Sequence, residues 1–336
     1  MLIAGIATGL AAALFQSLSY LATRHYTHQR IAIPNASVAP GPGDSRQLLV
    51  LAHTWMGLLA LILLPFVWPA AGIDWSAIAR PLLATGLFYL LGQMGLMLAL
   101  KHAEPSRVSP LLGFKIVVLA LMATLLPQPA LPGATTAAAS SLTLLQWLAV
   151  ILCTVAAISL NFSGVALRRR AILAILFACF TYSFSDWNIR LLVTALARDP
   201  ALTTLHASIL GACLTYVLTG LVAVAFLPRL GSRQWSNWRA ATPFAASWFA
   251  GMMCLYTSFA LIGVVFGNIL QSTRGLMSIL MASLLIRLGH RHLEPHTAGH
   301  VLLRRLASGT LMFAAVVLYV LKDPAGFRAI LDFLHP

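Results

Sequence analysis

An all-α integral membrane protein, with ten transmembrane helices set out as two inverted repeats of five, is the fold class that three observations predict. The 336 residues are 60% hydrophobic and only 9% charged, whereas a soluble domain carries roughly 25% charged residues. Mean hydropathy is +0.87, and the charge is too sparse to cover a surface facing water. Ten runs approach the length of about 20 apolar residues that a spanning helix needs, and polar positions in the first five are echoed in the second five.

In chain order the predicted spans are 2–23, 48–69, 81–100, 106–126, 142–163, 171–196, 202–227, 241–262, 265–286 and 300–321. The first opens MLIAGIATGLAAALF, and its first basic residue, Arg24, follows the apolar run. A secretory signal has the opposite charge order, so this segment reads as a retained helix. The connection IAIPNASVAPGPGDSR at 31–46 is rich in Pro, Gly and Ser, as is PQPALPGATTAAASS at 127–141; both read as flexible. Spans 3 and 4, and again 8 and 9, are joined by the short connections 101–105 and 263–264, which predicts two tight hairpins. In the tail 325–335, Phe327, Ile330, Leu331 and Leu334 share one helical face, which suits a short helix lying at the interface.

Basic residues set the orientation. Connections after odd-numbered spans hold Arg24, Arg30, Arg46, Lys101, Arg107, Arg168, Arg169, Arg170, Arg229, Arg233, Arg239, Arg287, Arg291, Arg304 and Arg305. The other side holds Arg80, Arg198, Lys322 and Arg328. Positive loops stay in the cytoplasm, so both termini are expected outside, in a multi-pass protein of the inner membrane. The same distribution explains the net charge of +14 without nucleic acid, for which no basic patch with interleaved aromatics is present.

Other chemistries are weak or missing. Cys153, Cys179, Cys213 and Cys254 all lie in apolar runs without a CxxC partner and read as small hydrophobes. No GxxxxGK[ST], HExxH or GxSxG occurs, so neither a P-loop nor these catalytic signatures are on offer. GPGD at 41–44 lies in a loop and leaves Asp44 without a facing membrane acid. HRHLEPHTAGH carries His296 and His300 at i,i+4, a spacing that zinc accepts, but an Arg-rich solvated loop accounts for it better. No metal, no cofactor and no enzymatic activity are expected. Gly5-xxx-Gly9 and Gly263-xxx-Gly267 match the small-residue packing motif of membrane helices, here read as packing helices within the monomer rather than driving dimers; a monomer or homodimer is expected.

The halves 1–165 and 166–336 correspond weakly. An offset of 170 lays Ala4 on Ala174, Gln16 on Asp186 and Tyr20 on Arg190. Ala99-Leu100 leads to Lys115 as Ala260-Leu261 leads to Arg274, two residues sooner. Five helices per half is an odd number, so the halves enter the membrane in opposite directions, and such inverted repeats place a site between them near the midplane.

With this plan, the hairpin leading into AEPSRVSPLLGFKIVVLALMATLL, and GNILQSTRGLMSILMASLL, the sequence resembles the EamA-type permeases of the drug/metabolite transporter superfamily over nearly its whole length. The resemblance implies a substrate cavity between the halves that opens alternately to either side. Many members carry an acid in the approach to the fifth helix of each half. Here 127–141 has none and the second approach has only Glu294, so no coupling residue carries over.

Charges inside the spans are costly and usually face a bundle interior or a wet cavity. Asp186 and Arg190, at i and i+4, share a helix face and are expected to pair, with Asp186 the candidate for a proton-linked step as the one acid within a span. Lys115 has no acid at helical spacing; it either meets an anion or reaches Asp186 across the bundle. Asn268, Gln271 and Arg274 follow three-residue spacing as a polar stripe, with Ser278 beyond. Gln16 and Tyr20, Gln93, Trp187 and Asn188 complete the candidate substrate-binding set. The expected function is secondary transport of a small anionic or zwitterionic metabolite by alternating access. Alternatives are a lipid flippase or scramblase with a lateral groove, and a non-transporting membrane enzyme or receptor.

Overall fold

The structure is a computed structural model. It describes residues 1–29, 45–70, 72–100, 102, 108, 111–126, 142–159, 168–230, 234–277, 281 and 299–320. The expectations for the loops 31–44 and 127–141, the histidine-rich connection, Ser278, Glu294 and the tail 325–335 lie outside these residues.

Ten α-helices are present among the described residues: α1 Leu2–Gln29, α2 Ser45–Val67, α3 Trp75–Leu100, α4 Lys115–Leu125, α5 Leu144–Ser159, α6 Arg169–Leu196, α7 Thr204–Phe226, α8 Trp235–Ile262, α9 Val264–Ser272 and α10 Gly299–Val320. Six of them, α1 to α3 and α6 to α8, are long and apolar enough to cross a membrane, which fits a multi-pass membrane protein. The other four are shorter as described, and α4 and α9 are interrupted. A 3₁₀ turn, Leu112–Phe114, leads directly into α4. The helix of α9 breaks at Thr273 and resumes over 274–277.

Two helices begin six residues before the predicted spans. At α3 the reason is a cap: Asp74 Oδ1 accepts from the Ser76 hydroxyl at 2.6 Å and from the backbone N–H groups of Ser76 and Ala77 at 3.0 and 3.3 Å. Those bonds, that of the Ser76 hydroxyl first, hold the exposed Asp74 carboxyl below its ordinary range. They satisfy amides that a helix start leaves without partners. At α8 the helix runs through Pro243 from Trp235.

The bundle is apolar outside and holds its charged and amide side chains within an otherwise apolar core. Ile62, Phe66, Leu83, Leu87, Met94 and Leu125 are exposed, whereas Gln16, Gln93, Lys115, Asp186, Gln271 and Arg274 are buried. A soluble protein arranges these the other way round, and contiguous exposed apolar area of this extent needs a covering medium.

Pairing between helices is selective. α1 packs on α8, α3 on α6, α2 on α7 and α5 on α10. Small residues set the closest approaches. A Cβ on Gly57 would stand 2.9 Å from Gly220 Cα, and one on Gly220 would stand 2.7 Å from Gly57 Cα. Gly5 and Gly9 likewise pack against Ile262 and Leu270 within the same chain. Gly263 turns the α8–α9 hairpin with φ +85°, a conformation that only glycine adopts without strain.

Candidate functional site

Lys115, Asp186 and Arg274 converge on one central cavity, reached from α4, α6 and the restart of helix after α9. Their relative exposures are 5%, 3% and 4%. Gln16 and Tyr20 of α1, Gln271 of α9, Tyr89 of α3, Tyr182 of α6 and Trp248 of α8 complete its polar wall; Leu112, Met252 and Leu255 supply the apolar part.

Lys115 Nζ donates to Asp186 Oδ2 at 2.9 Å and stands 5.8 Å from the centre of the Tyr182 ring. Arg274 Nη1 donates to Gln16 Oε1 at 3.1 Å, and its guanidinium carbon lies 5.9 Å from the Tyr20 ring centre. Both rings present the π-face that attracts cations. Gln271 Nε2 donates to the same Gln16 oxygen at 2.8 Å. The Ser17 hydroxyl donates to the Arg274 carbonyl at 2.9 Å, and the Ser183 hydroxyl to the Lys115 carbonyl at 3.1 Å. Each base therefore has its backbone fastened where the neighbouring helix is interrupted.

The site is charged in excess. Two bases meet one carboxylate, and Arg274 has a side-chain amide where Lys115 has an acid. Tyr20 Oη, Tyr182 Oη, Gln271 Oε1 and Arg274 Nε line this cavity, buried and with no hydrogen-bond partner among the described residues. Such orphaned groups are costly unless something occupies the space between them. The cavity holds only about 20 Å³, room for about one water. Helices must part before anything larger enters.

The expected Asp186–Arg190 pair does not form. Arg190 Nη1 instead donates to the Phe259 carbonyl at 3.0 Å, beside the C-terminus of α8. That helix end carries partial negative charge and attracts a cation, while Lys115 takes the Asp186 carboxylate from across the bundle. The stripe on α9 is also shorter than expected: Gln271 and Arg274 line the cavity, but Asn268 does not and donates to Val264 O on its own helix at 2.9 Å. Gln93 lies one step behind the wall, donating to Tyr89 Oη at 3.1 Å. Trp187 is buried away from the lining, and Asn188 donates to Phe184 O.

Sequence reasoning missed Tyr89, Tyr182, Trp248 and a hydrogen-bonded group behind them. His53 Nε2 lies 3.1 Å from Tyr89 Oη, Tyr216 donates to Tyr89 at 3.3 Å, and Trp248 Nε1 donates to Tyr216 at 3.1 Å. A histidine inside an apolar run was the available signal, since an ionisable group in a span marks function by default.

Fold and site together define a helical, multi-pass membrane protein with a buried, positively charged central site. No family model matches the sequence, and no characterised protein matches it either. Among solved structures, a protein known by its crystal structure superposes with a TM-score of 0.58 over 95% of this chain and 98% of its own, at 17% identity. That likeness concerns the fold alone.

Proposed function

We propose that the protein is a secondary transporter, an EamA-type permease, that moves a small anionic or zwitterionic metabolite across the inner membrane by alternating access between inverted halves 1–165 and 166–336. The observation that carries this reading is the matched environment of Lys115 and Arg274 in a single cavity. Each base receives a serine hydroxyl on its carbonyl, from Ser183 and Ser17 respectively. Each stands over a tyrosine ring, and each bonds a polar side chain of α6 or α1. The serines differ by 183 − 17 = 166 positions, which lays Tyr20 on Asp186 and Gln16 on Tyr182. This register is one helical turn from the offset of 170 expected from sequence.

Helix packing supports the same exchange. Replacing each helix by the one five places away turns the α1–α8 contact into α6–α3, and maps α2–α7 and α5–α10 onto themselves; all four are close contacts. Gly57 and Gly220 meet where α2 crosses α7, the position an internal two-fold axis would occupy. The exchange also lays Tyr89 on Trp248, 159 positions apart, the same separation as Lys115 and Arg274 (248 − 89 = 274 − 115). Bases at interrupted helices near such an axis are where transporters of this architecture hold charged substrates.

Charge balance selects the substrate class. With Asp186 compensating Lys115, one positive charge remains on Arg274, and buried uncompensated charge is costly. A carboxylate or phosphate would relieve it and would accept from Arg274 Nε, Tyr20 and Tyr182. Substrate can shift the two access states only through its different affinity for them. Convergence of the charges on an enclosed cavity favours this reading over a flippase, whose polar groups would run along a lateral groove.

The test is a thermal-shift screen of the purified protein against small carboxylates, phosphates and neutral isosteres, followed by uptake of the stabilising compounds into proteoliposomes. Stabilisation by anions that disappears in Arg274→Gln is expected. Hits without an anionic group, or affinity unchanged in both Lys115→Gln and Arg274→Gln, would overturn the reading.

A further inference from the structure

A second and larger space lies at one end of the bundle. Its volume is about 480 Å³, in the range of small-molecule sites, with the exposed Arg46 and Arg229 at one end, apolar side chains of α2, α3 and α7 along its walls, and Met94, Val222 and Phe226 exposed on its outer side. His53 lines this crevice, and Tyr89 lines the central cavity. Their rings, 5.5 Å apart, therefore stand between the two. Seven residues of helix separate Arg46 from His53, about 10 Å of depth.

The hydrogen bonds at this partition have a fixed direction. His53 Nδ1 lies 2.8 Å from the Leu49 carbonyl, which can only accept, so Nδ1 carries the proton and neutral Nε2 is an acceptor. Gln93 Nε2 and the Tyr216 hydroxyl both donate to the Tyr89 oxygen, occupying its two lone pairs. The one proton of the Tyr89 hydroxyl therefore goes to His53 Nε2. Protonating His53 turns Nε2 into a donor aimed at an oxygen with no free lone pair, and leaves the Tyr89 proton without its acceptor. The contact then breaks.

We propose that His53 and Tyr89 form a proton-operated latch: the neutral pair closes the crevice off from the central cavity, and the protonated pair opens it. This deepens the transporter reading and rests on the central cavity being the substrate site. Among the described residues, the charged and titratable groups around His53 are Arg46 on its own helix, Tyr89 on α3, Tyr216 on α7 and Arg229 just beyond α7; Trp248 of α8 bonds Tyr216 behind them. Among the described residues no acid lines the crevice. The internal symmetry is broken at this point. The position equivalent to His53 is Tyr216, 163 residues on as Gly220 is from Gly57, and tyrosine does not titrate near neutral pH. The proton-sensitive group is therefore on one side of the exchange only, among the described residues.

The test reads access rather than transport. Leu112, buried in the central cavity wall, is replaced in Leu112→Cys with Cys254→Ser as background. The protein is placed in vesicles with the Arg46 end of α2 outward and treated with a membrane-impermeant anionic methanethiosulfonate. Cys179, whose thiol reaches the Leu111 carbonyl beside the cavity, is replaced in Cys179→Ala in the same background, and buried Cys153 and Cys213 report unfolding if they react. Methanethiosulfonates react with the thiolate, so each rate is divided by that of Tyr89→Phe in the same background at the same pH. For the parent this ratio is expected to rise about tenfold per unit fall in pH before levelling, the slope of a one-proton step. Adding His53→Gln, whose amide oxygen can hold the Tyr89 proton, should keep the ratio low at every pH. Tyr89→Phe itself, which removes the latch without burying a new polar group, should label faster than the parent wherever His53 is neutral. A ratio for the parent that ignores pH, the result if the Gln93 amide merely turns to take the Tyr89 proton, overturns the proposal. So does an unchanged pH profile in His53→Gln or slow labelling in Tyr89→Phe. Failure to find a transported substrate would leave each of these outcomes readable.

Discussion

Gly57 of α2 and Gly220 of α7 meet with no side chain between them, each so placed that a Cβ on one would press on the Cα of the other at 2.9 or 2.7 Å. The neighbouring contacts repeat on either side: Gly57 sits on the Tyr216 carbonyl and Gly220 on the His53 carbonyl. His53 and Tyr216 then reach Tyr89 and Trp248 respectively. This crossing sets His53 and Tyr216 behind Tyr89 and Trp248, the two aromatics that wall the central cavity.

Substituting Gly57→Ala or Gly220→Ala should force the helices apart at a point where backbone meets backbone. Overpacking of this kind costs about 1–3 kcal/mol, so a lowered unfolding midpoint in detergent is expected for each. Ala at Gly72, where the added Cβ meets nothing within 4 Å although φ is positive, serves as a control for strain without crowding. Equal stability of Gly220→Ala and the parent would contradict the close crossing.

Removing one partner of the Lys115–Asp186 pair leaves a buried charge uncompensated, at a cost of about 3–5 kcal/mol. Asp186→Asn should therefore lower stability, while the double variant Asp186→Asn with Lys115→Gln should recover much of it. Transport should fail in both, and in Asp186→Asn any dependence of flux on pH that comes from this carboxylate should vanish. Additive losses in the double variant would show that the two side chains do not interact.

Arg274→Lys keeps the charge but loses the fork that grips a carboxylate or phosphate with two parallel bonds. Binding of an anionic ligand should weaken roughly tenfold or more, since a charge-assisted hydrogen bond is worth about 1.5–3 kcal/mol. Isothermal titration of parent and variant measures it directly, and equal affinities would assign the grip to Lys115 alone.

From the basic connections after odd-numbered spans we expect both termini on the extracytoplasmic side. A C-terminal reporter active only outside the cytoplasm should give signal, and one active only inside should not. The reverse result would turn the whole bundle over, and the crevice at Arg46 and Arg229 would then face outward.

Asp74 offers a pH effect away from the membrane interior. The Ser76 hydroxyl and the amides it accepts from favour the charged carboxylate, so its folded pKa lies below the unfolded one. The capping contribution is therefore complete above the unfolded value, about 3.9, and is lost as pH falls through the folded value. Amide exchange at Ser76 and Ala77 should quicken relative to the middle of α3 below about pH 4, and Asp74→Ala should show that faster exchange already at neutral pH.

Apolar run length alone located ten helices, because a spanning segment must satisfy its backbone internally and is written as one unbroken hydrophobic stretch. The cost of charge in such a stretch likewise made Lys115, Asp186 and Arg274 visible in the sequence. Which of them pair was not legible. Helical spacing within α6 pointed from Asp186 to Arg190, but partners are chosen by distance across helices. Lys115 arrives at 2.9 Å from α4, and Arg190 finds the end of α8 instead. The same holds for Tyr89, Tyr182 and Trp248, whose side chains look like ordinary membrane-helix aromatics in sequence. The rotation of each helix about its own axis turns them inward, and small residues such as Gly57 and Gly220 allow the helices to approach closely enough for them to meet. Local periodicity fixes where helices run, whereas their rotation and crossing, set by packing among residues far apart in the chain, decide what faces the cavity.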